Sequence, residues 1–212
     1  MDYRIIATGS KGNAVLLNDE ILLDCGVPYK LLKPYVQRLK LVLLTHIHGD
    51  HFNPVTIRAL AYNRPTLRFA CCGWLAEDCR KHGVVNLDVL QIGRAADYRV
   101  FQVVPVKLYH DVPNCGYRVF WGNERMIYAT DTVTLEGITA KNYDLYLIEG
   151  NYDCTINDRV KNKEANGEYI YEYRVLQTHL SVEDATAWLL ENMGENSRYE
   201  FIHQHKEEHN VQ

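Results

Sequence analysis

His46, His48, Asp50 and His51 fall within the six-residue run His46-Ile47-His48-Gly49-Asp50-His51. Imidazoles and carboxylates are the usual donors to borderline divalent cations. Four such donors on so short a stretch cannot all reach one ion and still leave room for a substrate. The pattern suits two adjacent ions, with His46 and His48 on one and Asp50 and His51 on the other. Only nine histidines occur in the 212 residues, so three of them beside an aspartate are improbable by chance. Two divalent ions about 3.5–4 Å apart can share a hydroxide and bind a substrate oxyanion together, giving a nucleophile at neutral pH.

Such donors need rigid neighbours. Leu41-Val42-Leu43-Leu44 precedes them, an apolar run whose length suits a strand buried on both faces. Asn53-Pro54 follows at once and opens a helix predicted through about residue 62, with Asn53 as its cap and Pro54 at the first helical position. The histidine loop is therefore expected at a sheet edge. Residues 4–7, 14–17 and 21–23 read as strands, the last two joined by a hairpin turn at Asn18-Asp19-Glu20. A short helix is predicted over 28–37. Further strands are predicted at 66–70, 89–92, 99–109, 116–121, 126–129, 145–148 and 201–202, with a hairpin signal at Gly122-Asn123-Glu124. Residues 73–82 and 181–192 read as helices, the second capped by Ser181 with Asp184 three residues on. Strands joined by tight turns and interspersed with helices fit a layered α/β (α+β) fold better than a doubly wound parallel sheet.

A hydrophobic content of 47% and a charged content of 24% suit one core, so residues 1–212 are expected to form a single domain. Residues 153–173 are polar and weakly periodic, a long excursion or helical arm. The net charge of -4 does not suggest a generally basic, nucleic-acid-coating surface. A polymer substrate usually calls for a basic track, and Arg159, Lys161 and Lys163 in the excursion are the nearest thing to one, which leans mildly towards a small substrate. No apolar run is long enough to span a bilayer. The opening Met1-Asp2-Tyr3-Arg4-Ile5-Ile6-Ala7 runs straight into a strand-like segment, so a cytoplasmic location without membrane attachment is expected. Cys25, Cys71, Cys72, Cys79, Cys115 and Cys154 include no C-x-x-C pair and read as reduced, buried, small apolar residues.

The pattern H-x-H-x-D-H after an apolar strand resembles the signature of the metallo-β-lactamase superfamily, and other segments extend the resemblance over nearly the whole chain. Thr8-Gly9-Ser10-Lys11-Gly12-Asn13 looks like the S-G-S-x-G-N opening of an exonuclease-like bacterial branch. Ile21-Leu22-Leu23-Asp24-Cys25-Gly26 is similar to the family's strand-D-x-G element, which implies that Asp24 braces the histidine loop from behind. His110 matches the third histidine, and Asp131, in Tyr128-Ala129-Thr130-Asp131-Thr132, matches the bridging aspartate. Leu147-Ile148-Glu149-Gly150-Asn151-Tyr152-Asp153 resembles a segment of the exonuclease-like group. Thr178-His179-Leu180-Ser181 resembles the histidine-serine or histidine-leucine-serine element of phosphodiesterase branches, ribonuclease Z included. The family also needs a histidine after the last strand. Strand alternation puts His203 and His205 on one face, and His205 is favoured as the one at the strand's end, with His203 the alternative. His82 and His209 read as surface residues.

The resemblance implies a four-layer αββα sandwich. It implies that His46, His48 and His110 bind one ion, that Asp50, His51 and His205 bind the other, and that Asp131 bridges them. Asp50 would also orient the attacking water, and His179 would serve the leaving group. The catalytic residues would thus be Asp50, Asp131 and His179. Two divalent ions are implied, with zinc the better match to the histidine-rich set and manganese the alternative. The expected activity is hydrolysis of a phosphodiester in a nucleic acid or nucleotide, cyclic nucleotides included, similar to phage phosphodiesterases of this fold. The alternative is a carbon–oxygen or carbon–sulfur hydrolase of lactonase, thioesterase or glyoxalase type. A homodimer, in which the excursion reaches over a partner's site, is implied by analogy. A purely structural module is disfavoured, because a full ligand set can be placed.

Overall fold

A computed structural model describes residues 1–204. Its architecture follows from strands that have no polar face. In β2 (Ala14–Leu17), β3 (Ile21–Leu23) and β4 (Leu41–Leu44) every residue is buried. Side chains alternate along a strand, so Val15, Leu17, Ile21, Leu23, Leu41 and Leu43 enter one core. Ala14, Leu16, Leu22, Val42 and Leu44 enter another. Such strands need cover on both faces.

These strands belong to a six-stranded sheet ordered β1-β2-β3-β4-β5-β6, completed by β1 (Tyr3–Ala7), β5 (Arg68–Cys72) and β6 (Leu87–Leu90). β1 to β3 pair antiparallel and β3 to β6 parallel. Its outer face packs against α1 (Tyr29–Leu32), α2 (Pro54–Asn63) and α3 (Gly73–Lys81) through Leu32, Ile57, Leu60, Leu75 and Cys79. A second sheet, ordered β12-β11-β10-β9-β8-β7, holds β7 (Ala96–Asp97), β8 (Phe101–Leu108), β9 (Asn114–Trp121), β10 (Glu124–Ala129), β11 (Leu145–Glu149) and β12 (Arg198–Ile202). Here β7 to β10 pair antiparallel and β10 to β12 parallel. The chain then adds α4 (Ile156–Asn166), α5 (Glu172–Thr178) and α6 (Val182–Asn192). α6 covers the outer face of the second sheet through Ala185 and Leu189. The two sheets meet face to face over one apolar core, and Tyr117 crosses it to donate to the carbonyl of Leu44. The expected αββα layering is what the chain adopts.

Several boundaries depart from the sequence reading. The helix expected over 28–37 ends at Leu32, because Pro34 has no N–H to donate; isolated turns follow, with Tyr35 N donating to Leu32 O and Arg38 N to Tyr35 O. β5 starts two residues later than expected, after a turn closed by Leu67 N donating to Arg64 O. β6 starts two residues earlier, because parallel pairing with β5 sets Phe69 opposite Leu87. The polar excursion is helical. α4 ends at Gly167, which takes the left-handed φ of 65° that closes a helix, and α5 follows, reaching five residues past the predicted end. Five cysteines are buried, but Cys154 is exposed, because it lies at the root of this arm, outside the layers. His82 is half-buried, with its ring 5.9 Å from that of Phe52; His209 lies outside the described residues. No helix among the described residues is long and apolar enough to cross a membrane.

Candidate metal centre

The histidine loop leaves the end of β4 and enters α2, whose first turn is capped by the Asn53 side chain accepting from Val55 N and Thr56 N. Two neighbouring loops lock it through the backbone. Asn13 N donates to Asp50 O (2.7 Å), Cys25 N to His51 O (2.8 Å) and Asn53 N to Cys25 O (2.9 Å). Gly26 makes this approach possible: a Cβ there would lie 1.7 Å from Asp50 O. The second sheet supplies the facing groups from strand ends, His110 after β8, Asp131 after β10, Glu149 closing β11 and His203 after β12. His179 follows α5.

His51, His46 and His110 each have a partner that fixes the ring's proton. His51 Nδ1 donates to Asp24 Oδ2 at 2.7 Å, leaving Nε2 towards Asp131 Oδ2 (3.0 Å) and Asp50 Oδ2 (3.5 Å). Asp24 Oδ1 accepts from Thr45 N and Oγ1, and Thr45 Oγ1 in turn lies 2.9 Å from His46 Nδ1. Tyr128 donates to Asp24 Oδ2 as well (3.0 Å). Asp24 therefore braces both buried histidines of the loop, one directly and one through Thr45. His110 Nδ1 donates to Thr178 O (2.8 Å), leaving Nε2 3.2 Å from His48 Nδ1. His203 Nε2 lies 3.3 Å from Asp50 Oδ2 and 3.5 Å from Asp131 Oδ1.

The donor atoms gather into two trios, His46–His48–His110 and Asp50–His51–His203, each with its atoms within 4.8 Å of one another. Asp131 groups equally closely with His46 and His51, and again with Glu149, His179 and His203, so it stands between them. A cation suits this arrangement. Buried polar atoms are almost always paired, yet His46 Nε2 is buried with no hydrogen-bond partner among the described residues. Burial also keeps the His46 ring neutral, its pKa well below the usual range, so a lone pair is free to coordinate. Burial lowers His110 likewise.

Without a cation the carboxylates instead hold protons on their neighbours. Burial opposes the charged form of His203, but Asp131 and hydrogen bonds to Asp50 and Glu149 outweigh it and push the ring up to about 10. His51 is raised against its own burial by Asp131 and Asp24. Burial would raise Asp131, but its histidine neighbours hold it well below the usual carboxylate range.

The structure thus brings together His46, His48, Asp50, His51, His110, Asp131, His179 and Asp24. Of the two candidates for the last position it brings in His203; His205 lies outside the described residues. Alternation does not govern His203, because β12 ends at Ile202 and His203 turns with a φ of 54°. Three groups near the site were not singled out from the sequence. Glu149 is fully buried, accepts from His179 Nδ1 (2.6 Å) and Thr132 N (2.9 Å), and lies 3.3 Å from His203 Nδ1. A carboxylate closing the otherwise apolar run of β11 was a signal for it. Asn13 Nδ2 lies 2.8 Å from His51 Nε2. Asp111 lies 3.3 Å from His48 Nε2 and 3.2 Å from His110 Nε2, and accepts from Arg174 Nη2 at 2.7 Å. Nothing local in the sequence points to Arg174.

A family model described as the beta-lactamase superfamily domain matches residues 20–203. The exodeoxyribonuclease WalJ of Streptococcus pneumoniae is 24% identical over 230 residues, covering 99% of this chain and 83% of its own. The metallo-beta-lactamase fold protein YhfI from Bacillus subtilis matches with a TM-score of 0.74 at 17% identity, over 98% of this chain and 88% of its own. The short form of human tRNase Z matches with a TM-score of 0.73 at 18% identity, over 97% and 93% respectively. The two structural matches are likenesses of fold.

Proposed function

The chain belongs to the beta-lactamase superfamily as a hydrolase of the metallo-β-lactamase fold, and from that premise we propose that it hydrolyses a phosphodiester bond in a nucleic acid or nucleotide with two divalent cations. The observation that carries this reading is the placement of His179. It stands outside both trios, lines the same cavity, and is backed by Glu149 at 2.6 Å, with Asp131 Oδ1 3.7 Å away. With Nδ1 donating to Glu149, its Nε2 is the atom left to serve a departing oxygen. An alkoxide leaving a phosphodiester needs a proton or a hydrogen bond, and a positioned histidine meets that need. The exodeoxyribonuclease and the tRNase Z among the similar proteins support the same substrate class.

His46, His48 and His110 would hold one cation and Asp50, His51 and His203 the other, with Asp131 shared. Zinc suits the imidazole-rich set best, and manganese is the alternative. Held there, the cations would bring the pKa of a water towards neutrality and offset charge developing on the phosphoryl oxygens. Asp24 fixes the tautomers of His51 and, through Thr45, of His46. Asp50 would accept a hydrogen bond from the attacking water and so aim it. Glu149 holds the His179 ring in place.

The test is turnover of bis-p-nitrophenyl phosphate with zinc or manganese, beside a panel of lactones and thioesters. Phosphodiester hydrolysis dominating the panel is the expected result. None with either metal, or faster lactone or thioester cleavage, would remove the proposal.

A further inference from the structure

The cavity over the two trios has a volume of about 440 Å³. Pockets of this order enclose one small-molecule-sized group, here a single nucleotide rather than a duplex. One side of its lining comes from the turn and helix of the arm, through Tyr169, Tyr171, Arg174 and Val175. Tyr169 is 87% exposed and Tyr171 36%. Arg174 is the one Lys or Arg among the described lining residues.

This part of the arm is pinned. Lys163 Nζ donates to Glu172 Oε1 at 2.6 Å and sits 4.2 Å over the Tyr171 ring. Arg174 is tied by Asp111 to the surroundings of His48 and His110, which brings a guanidinium close to the first trio while its side chain stays 69% exposed. Aromatic faces beside a cation are the components of single-stranded nucleic-acid sites: bases stack on the rings and the cation takes a phosphate. One cation and two rings provide for a chain end. A long strand would need a basic track, which a chain of net charge -4 does not advertise.

We infer that Tyr169, Tyr171 and Arg174 form a nucleoside-binding wall that receives the terminal nucleotide of a single-stranded nucleic acid, the tyrosines stacking on base and Arg174 holding the phosphate next to the scissile one. Asp111 is the positioning residue for Arg174. The inference rests on the phosphodiesterase reading and adds to it the residues that choose the substrate.

Two esters with one leaving group test it. Thymidine 5′-(p-nitrophenyl phosphate) carries a nucleoside and methyl p-nitrophenyl phosphate does not. The wild type should prefer the nucleoside ester in kcat/KM by about 5- to 150-fold, the factor that one base–aromatic stack supplies. Tyr169→Ala should abolish the preference, bringing the nucleoside ester's kcat/KM level with that of the methyl ester, and Tyr169→Phe should keep it. Binding of fluorescent tetrathymidylate gives a readout apart from turnover. Arg174→Gln should weaken it and reduce the slope of log affinity against log salt by about 0.7, the value for one phosphate on a single strand. Equal kcat/KM for the two esters in the wild type, or tetrathymidylate binding indifferent to both substitutions, overturns the wall. So does wall-dependent binding of cyclic nucleotides that tetrathymidylate fails to displace. If neither ester is cleaved but tetrathymidylate still binds through Tyr169 and Arg174, the phosphodiesterase reading falls and the wall stands.

Discussion

Replacing Asp24 by asparagine should cost one of the two cations about 10- to 100-fold in affinity, whichever way the new amide turns. Asp24 is fully buried and accepts on both oxygens, from Thr45 N and Oγ1 on one side and from His51 Nδ1 and Tyr128 on the other. Asparagine keeps the shape but has one acceptor and one donor end. If the NH2 faces His51, Nδ1 must accept, and the ring's proton moves to Nε2, the atom that would meet the cation. If it faces Thr45, the hydroxyl must accept there and donate towards His46 Nδ1, which moves the His46 proton to its Nε2. Either orientation blocks one donor. The loss corresponds to about 1.4–2.7 kcal/mol, and a hydrogen bond to a charged group worth about 1.5–3 kcal/mol disappears from the fold with it. Competition with a calibrated chelator gives both dissociation constants, and nitrogen NMR of the imidazoles reports the tautomers. Two wild-type dissociation constants in the Asp24→Asn protein would refute the reasoning.

Other expectations follow from the same geometry. His179→Ala should keep both cations and slow phosphodiester hydrolysis by about 10²- to 10⁴-fold, the usual contribution of a general acid; metal analysis showing a lost ion would make His179 a ligand instead. His203→Ala should lower metal content and His205→Ala should not, and the reverse result would restore the assignment first favoured from the sequence. Metal affinity should rise with pH. In the metal-free protein His203 is pushed up to about 10, so near neutrality it holds a proton that the cation must displace. Each such proton gives about a tenfold gain per pH unit between pH 6 and 8, and His51, raised in the same way by Asp131 and Asp24, adds a second. Calorimetry in buffers of different ionisation enthalpy counts the protons released, and an affinity flat over that range would show that His203 binds no cation.

What could be read from the sequence had local causes. The apolar run of β4, the four donors after it and the Asn53-Pro54 cap lie within 14 residues, Leu41 to Pro54, and each carries its own signal. The αββα layering was legible from strands lacking a polar face together with the family resemblance. What could not be read depends on distant contacts or on backbone that leaves the regular pattern. Asp24, Asp131 and His203 all take positive φ, at 58°, 57° and 54°, and the two aspartates were legible only through their match to family motifs. Such conformations are uncommon outside glycine, although Asp and His tolerate them better than most residues, and they collect where structure serves a site. Strand periodicity cannot place a side chain across such a turn, which is why His203 and His205 could not be separated. Arg174 reaches Asp111 across 63 residues of chain. The early end of α1 is different, since Pro34, the residue that stops it, stands within the predicted span and has a purely local effect.

The seam between the two sheets also divides the donors. His46, His48, Asp50 and His51 precede Gly93, while His110, Asp131, Glu149, His179 and His203 follow it, and chain order splits the strands at the same place. A cut near Gly93 would give two fragments, each carrying half of a coordination set that neither completes. Cations would then act as rivets between them. At 100 times the dissociation constant, occupancy adds about 2.7 kcal/mol to the joined state. Sedimentation of the paired fragments with and without chelator would read that increment, and equal association in both would mean that apolar contact alone keeps the halves together.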